Sequence, residues 1–257
     1  MRYAKRGKLR FMSHRDVARS FERAVRRAGV PMAYSQGFNP HPRISWIGAA
    51  PTGSASEAEY VEFAVVTEVD PAELLAGVDD ALPPGLDVLE VVVSRGGSLA
   101  ERIDASRWRI ELAGVDPAVL APAVTALLAT GSVEVERLTK DGRRTIDVRP
   151  AVVSAQVSAS NRAPEAEPGA PEGPCGIIDV VVRQTTPAVR PDDVLSALRV
   201  VAALMPPAPA KAVRVAQGRL DDDGRLADPL APDRGPGPGR VAGEPEPDQL
   251  VVERPVG

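Results

Sequence analysis

The chain has 257 residues, of which 44% are hydrophobic and 4% aromatic, and its formal net charge is −4. Its single cysteine, Cys175, excludes an intramolecular disulfide and a zinc or iron–sulfur site held by cysteines of this chain. No apolar stretch is long enough to span a membrane, and residues 1–13 lack the apolar run of a signal peptide. We therefore expect a cytoplasmic protein without a membrane partner.

The net charge hides two regions of opposite sign. Residues 1–50 hold eleven Lys or Arg and two Asp or Glu, a net charge of +9, whereas the rest of the chain carries −13. Such an asymmetry predicts a basic working surface near the N-terminus and acidic segments elsewhere.

The first predicted elements are a strand and a helix. A strand is predicted over residues 8–12 because Leu9 and Phe11 alternate with charged residues, as in a half-buried strand. Ser13 then begins a helix. We predict a capping box there, in which the Ser13 hydroxyl accepts a backbone N–H and Asp16 reaches back to the cap.

This first helix, predicted to end at about residue 28, has two different faces. An apolar ridge consists of Val17, Phe21 and Val25. A second ridge at the same spacing, called here the arginine ridge, consists of Arg15, Arg19, Arg23 and Arg27. The two ridges lie about 200° apart around the helix, so the apolar ridge should face a sheet while the arginines face outward.

The next segment is predicted to be a loop because it contains two prolines, a glycine and an Asn-Pro step. This signature loop consists of Tyr34, Ser35, Gln36, Gly37, Phe38, Asn39, Pro40, His41 and Pro42, and it is followed by Arg43.

The remaining elements complete two similar series. Strands at 44–48 and 59–66, a helix at 70–82 and a strand at 86–93 complete a βαββαβ order. The second half repeats this order loosely, with strands at 107–112, 177–183 and 213–217, helices at 116–130 and 191–204, and a hairpin at 133–148.

The predicted fold class is α+β, with two tandem ferredoxin-like (βαββαβ) domains at residues 1–95 and 105–217. Residues 159–176 are rich in Pro and Gly and are predicted to be a disordered insert that contains Cys175. Residues 218–257 are predicted to be a disordered, acidic, Pro/Gly-rich tail.

Residues 2–63 resemble a known family. The stretches KLRFMSHRD, FERAVRRAG, YSQGFNPHPRI and SEAEY look like the radical-SAM-linked domain family of uncharacterised function, in its stand-alone form. The resemblance implies association with a separate radical SAM enzyme and an RNA-related role, and it supplies no catalytic residue. Because this chain has one cysteine, the enzyme would have to supply the iron–sulfur cluster, and we expect no cofactor in this chain.

The leading hypothesis is an accessory protein that binds RNA or an RNA-containing complex through a basic N-terminal face. The candidate anion-binding residues are Lys8, Arg10, Arg15, Arg19, Arg23, Arg27 and Arg43, with Lys5, Arg6 and Arg26 nearby. Arginine pairs bidentately with phosphate, and Tyr34 and Phe38 could stack on bases. The alternative interpretation is a solvated helix face with both aromatic rings packed against the protein.

Both histidines lie near this surface and leave other functions open. His14 or His41 could act as the base of a metal-independent RNA-processing endonuclease, with arginines on the phosphate. Alternatively, His14 is a polar first-turn residue and His41 braces its loop. A third possibility is a protein–protein adaptor whose arginine ridge binds an acidic partner. No metal site is assigned, since Glu57, Glu59 and Glu62 are better explained as strand residues.

Overall fold

The computed structural model describes residues 1–139, 142–159 and 173–235. Within these residues, nine strands form one mostly antiparallel sheet, and two further strands form a separate hairpin. The protein is therefore of the α+β class, as predicted. No helix in the described part of the chain is long and apolar enough to cross a membrane.

The first half contains β1 (Arg2–Lys5), α1 (His14–Arg27), β2 (Ile44–Ile47), β3 (Ala55–Phe63), α2 (Pro71–Ala81) and β4 (Leu86–Glu90). The second half contains β5 (Ala105–Ala113), α3 (Pro117–Ala129), β6 (Glu134–Thr139), β7 (Gly142–Asp147), β8 (Val152–Ala159), β9 (Cys175–Arg183), α4 (Pro191–Ala202), β10 (Lys211–Leu220) and β11 (Leu226–Ala227).

One sheet runs through both halves. Its order is β4-β1-β3-β10-β5-β9-β8, with β2 also paired to β3 and β11 to β10. Strand β10 pairs in parallel with β3, where Val213 lies opposite Ala55, and antiparallel with β5. Because β10 joins the two halves, two separate ferredoxin-like domains are not confirmed, and the division between residues 95 and 105 stays a prediction.

The helices form a core with each half of the sheet. One core combines α1 and α2 with residues of β1, β3 and β4, and a second combines α3 and α4 with residues of β5, β8 and β9. A third, smaller cluster contains Leu99, Ile103 and Leu230 beside Tyr60 of β3.

The prediction of a strand over residues 8–12 is wrong. Residues Gly7–Phe11 form a 3-10 turn, and the first strand lies earlier, where Tyr3 pairs with both β3 and β4. Gly7 has a φ of +54°, a left-handed conformation that interrupts an extended chain. Alternation of two apolar residues was too short a pattern to distinguish a strand from such a turn.

The predicted start of α1 is confirmed, with one difference in its cap. The Asp16 N–H donates to the Ser13 hydroxyl over 3.3 Å. The same hydroxyl donates to the Asp16 carboxylate over 2.6 Å, so the carboxylate binds the side chain of Ser13 rather than its backbone N–H.

The predicted disordered tail is wrong for residues 218–235. Strand β10 extends to Leu220, β11 pairs with it, and Leu230 is 1% exposed in the third cluster. Asp233 forms an ion pair with Arg102 over 2.5 Å. The prediction rested on the average Pro/Gly-rich composition of the segment, and an average does not reveal single residues that bind the folded protein. Residues 236–257 lie outside the described residues.

The predicted insert is also wrong at its ends. Ala159 belongs to β8, a strand that the sequence did not reveal, and Cys175 is buried at the start of β9. Burial raises the pKa of the Cys175 thiol. Residues 160–172, and Lys140 and Asp141 of the predicted hairpin, lie outside the described residues. The hairpin itself is present as β6 and β7.

Candidate nucleic-acid interface

The apolar ridge of α1 fixes the orientation of the arginine ridge. Val17, Phe21 and Val25 are all buried, as predicted. The Phe21 ring lies 4.7 Å from the ring of Tyr3 and 5.3 Å from that of Trp46, measured between centroids. Aromatic contacts of this kind hold the buried face on the sheet, so the opposite face of the helix points to solvent.

All four members of the arginine ridge are exposed. From Arg15 to Arg27 the ridge extends about 18 Å along the helix axis. Within the described residues none of the four forms an ion pair, although Arg23 donates to the Ser20 hydroxyl over 3.3 Å. Their charges are therefore available to an external anion.

A concave surface lies beside the arginine ridge. A cavity of about 340 Å³ is lined by Ser20, Arg23 and Arg27 on α1 and by Ala81, Leu82 and Pro83 at the end of α2. Two of the four ridge guanidinium groups thus border a depression instead of a flat helix face. A depression bordered by two cations suits a phosphate group better than isolated surface charges do.

The other basic candidates differ in their exposure and in their contacts with the rest of the protein. Lys8 and Arg43 are exposed, whereas Arg10 is half-buried with its guanidinium 4.5 Å from the centre of the Phe11 ring. Arg6 pairs with two carboxylates, those of Glu57 and Asp87.

Lys5, which the sequence placed near the basic face, lies in the interior and is 3% exposed. Its ammonium group donates to the Ala50 and Pro51 carbonyls. Burial lowers the pKa of Lys5. Lys5 and Arg6 therefore bind groups of the protein itself, and neither is counted among the anion-binding candidates.

The signature loop projects from a closed base. The Ser35 N–H donates to the His41 carbonyl and the Arg43 N–H to the Ala33 carbonyl, each over 2.8 Å. The Ser35 hydroxyl accepts the His41 N–H over 3.0 Å. These bonds pin the two arms of the loop, so its tip is presented on a defined stem.

The loop carries its aromatic side chains outward. Phe38 is 106% exposed at the tip, and Tyr34 is 52% exposed at the base. The alternative that Phe38 packs against the protein is therefore wrong. Single-stranded nucleic acids bind surfaces that combine exposed aromatic rings with cationic side chains, and both features are present among the described residues.

The two histidines are not brought into a catalytic arrangement by the described residues. His14 is exposed, and its ring lies edge-on to Trp46 at 5.4 Å. His41 is exposed on the loop, and in the described part of the chain its ring has no hydrogen-bond partner. Neither ring is oriented by a carboxylate, and a group of three or more residues able to hold a metal is absent from the described residues.

Sequence reasoning missed a buried ion pair between the two halves. Arg214 of β10 is 4% exposed and Glu59 of β3 is 2% exposed. The Arg214 Nη2 donates to the Glu59 carboxylate, its Nε donates to Ser56 Oγ over 3.4 Å, and its guanidinium lies 5.4 Å from the Trp108 ring. The two partners are 155 residues apart, so no local pattern could have revealed their contact.

Comparison with known protein families identifies the family to which the chain belongs. Residues 1–191 match the DUF2344 family, described as an uncharacterized protein conserved in bacteria. The match spans most of the 257 residues, and the chain belongs to this family. A search of curated proteins found no match.

Proposed function

We propose that this member of the DUF2344 family is an accessory protein that binds RNA through the arginine ridge and the signature loop. The observation that carries the proposal is the set of exposed arginines on α1 that form no ion pair within the described residues, together with a loop whose Phe38 is fully exposed. Guanidinium groups would bind the phosphates, and the aromatic ring would stack on a base.

The proposal extends to a partner enzyme. The signature loop and the stretches around α1 resemble the radical-SAM-linked family, which implies a separate radical SAM protein. That partner would supply the iron–sulfur cluster, because one cysteine cannot hold it. The present chain would bring the RNA to that enzyme or hold it there.

The experiment measures binding of a labelled single-stranded RNA by fluorescence anisotropy at several salt concentrations. We expect salt-dependent binding by the wild type and a loss of at least tenfold in affinity for Arg19→Glu/Arg23→Glu. The matched control is Arg144→Glu/Arg199→Glu, which reverses two exposed arginines of the second half. Equal loss in both variants, or no binding by the wild type, would contradict the proposal.

A pull-down with the full chain, before and after a high-salt wash, tests the partner. We expect mass spectrometry to identify a radical SAM enzyme among the retained proteins. If only RNA is retained, the accessory role is wrong while RNA binding stands. If an acidic protein is retained through the arginine ridge and RNA is not bound, the adaptor hypothesis replaces ours.

The endonuclease hypothesis is tested separately with the two histidines. Incubation of RNA with the wild type, His14→Ala and His41→Ala, without divalent metal, should give no cleavage. Cleavage by the wild type that either substitution abolishes would establish an enzyme instead.

A further inference from the structure

A cavity of about 300 Å³ lies where the two halves of the sheet meet. Its walls come from the turn after β2, from β5, from the end of β9 and its connection to α4, and from β10. Neither the arginine ridge nor the signature loop contributes to the lining. The cavity is therefore separate from the proposed RNA surface.

The polar lining of this cavity is cationic. Three arginines, Arg183, Arg190 and Arg214, line it, and the lining residues include no Asp or Glu. Arg183 and Arg190 are exposed and form no ion pair within the described residues. The space thus has a net positive environment.

Arg214 is a fixed member of the site. Its Nε and Nη2 are held by Ser56 and Glu59, while its Nη1 makes no hydrogen bond to the described residues. Arg2 Nε is the only buried side-chain nitrogen or oxygen without a partner in the described part of the chain. The Arg214 Nη1 is therefore in contact with solvent, and Arg214 is one of the residues that line the cavity.

The segment from the end of β9 to the start of α4 carries the other two arginines and is tied at both ends. The Gln184 N–H donates to the Asp104 carbonyl over 2.6 Å. The Arg190 N–H donates to the Asp193 carboxylate over 2.8 Å, and Asp193 is held in turn by Arg137. Such bonds keep the backbone of the site in place before any ligand arrives, which lowers the entropy cost of binding.

We propose that this cavity binds a small ligand bearing a phosphate group. Arg183, Arg190 and the free Nη1 of Arg214 would bind the phosphate oxygens, and Ser106 and Thr185 offer hydroxyl groups. Trp108 and Val182 provide an apolar wall for the rest of the ligand. The volume lies at the lower end for ligand pockets, so the ligand is a small metabolite and not a polymer segment.

The test uses inorganic pyrophosphate as the probe and isothermal titration calorimetry of the full chain. We expect saturable binding by the wild type and at least a tenfold loss of affinity for Arg183→Glu/Arg190→Glu. The control Arg199→Glu, which reverses an exposed arginine of α4 outside this cavity, should bind as the wild type does. Ala49→Trp fills the cavity from an exposed lining position without changing charge, and it should also abolish binding.

Two further binding measurements test whether this cavity is distinct from the RNA surface. Arg19→Glu/Arg23→Glu should leave pyrophosphate binding unchanged, and a short RNA should not compete with pyrophosphate in the wild type. No saturable binding, or equal weakening by Arg199→Glu, would overturn the proposal. Competition between RNA and pyrophosphate in the wild type would also overturn it, because the cavity would then belong to the nucleic-acid interface.

Discussion

Two sets of arginines in this protein have opposite environments. Those of the arginine ridge are exposed and without ion pairs among the described residues. Arg214 and Arg102 are instead held against Glu59 and Asp233, whose side chains are 3% and 5% exposed. The same residue type therefore fixes the fold in one region and leaves charge available in another.

This difference shows why the net charge of a segment is a weak guide to its function. Counting charges put Arg6 and Lys5 into the basic face together with the ridge, yet Lys5 is buried and Arg6 is paired with two carboxylates. What distinguishes a binding cation is a guanidinium N–H that has no internal acceptor and can therefore donate to an external phosphate.

The largest loss of stability is expected when a buried arginine loses the carboxylate that it binds. Glu59→Gln removes the carboxylate that faces Arg214 and lies near Lys5, so two buried cations lose their counter-charge. We expect the free energy of unfolding to fall by about 3 kcal/mol or more, measured by urea denaturation. The exposed pair Arg143–Glu136 is the control, and Glu136→Gln should cost less than about 1 kcal/mol. Similar losses in the two variants would contradict the account.

The second prediction concerns the exposed aromatic ring. Phe38→Ala should weaken binding of single-stranded RNA by about tenfold, because stacking on one base contributes about 1–3 kcal/mol. Thermal stability should not change, since the ring is fully exposed. Phe11→Ala, another exposed phenyl ring outside the loop, is the control and should bind RNA nearly as well as the wild type. An unaltered affinity in Phe38→Ala would remove the loop from the interface.

The third prediction concerns the pH dependence of the stability that Asp233 contributes through Arg102. Burial of Asp233 raises its pKa, but the hydrogen bonds from Arg102 and from the Arg95 N–H outweigh burial, and the net shift is downward from 3.8. A carboxylate with a lowered pKa stabilises the folded state above its unfolded pKa and loses this contribution as the pH falls through the folded value.

Asp233→Asn should therefore lower the free energy of unfolding at pH 7 by about 1–2 kcal/mol. The difference from the wild type should shrink as the pH falls below 3.8. Urea denaturation of both proteins across this range checks it. A difference that stays constant down to strongly acidic pH would show that the ion pair with Arg102 is not its source.

The smallest effect on the free energy of unfolding is expected for the exposed arginine ridge. Arg19→Ala/Arg23→Ala should change the free energy of unfolding by less than about 0.5 kcal/mol per site, because neither side chain has an ion pair within the described residues. A loss as large as that of Glu59→Gln in the same urea experiment would mean that the ridge supports the fold.

Local signals in the sequence predicted the parts of the fold that depend on near neighbours. Ser13 caps α1 by accepting the Asp16 N–H over 3.3 Å. The loop and the outward arginine ridge followed from proline content and helical spacing.

The parts that sequence reasoning missed depend on distant contacts. The pairing of β10 with β3, the ion pair of Arg214 with Glu59, and the burial of Leu230 join segments far apart in the chain. No periodicity encodes such contacts, and the cavity between the halves exists only because of them.

The salt dependence of RNA affinity shows whether the arginine ridge contacts the phosphates of a bound RNA. Each phosphate contact to single-stranded nucleic acid contributes about −0.7 to the slope of log K against log salt concentration. For Arg19→Gln/Arg23→Gln we predict a slope shallower by about 1.4 than that of the wild type, and for Arg144→Gln/Arg199→Gln an unchanged slope. Identical slopes for all three proteins would show that the arginine ridge does not contact phosphate, and would contradict the account.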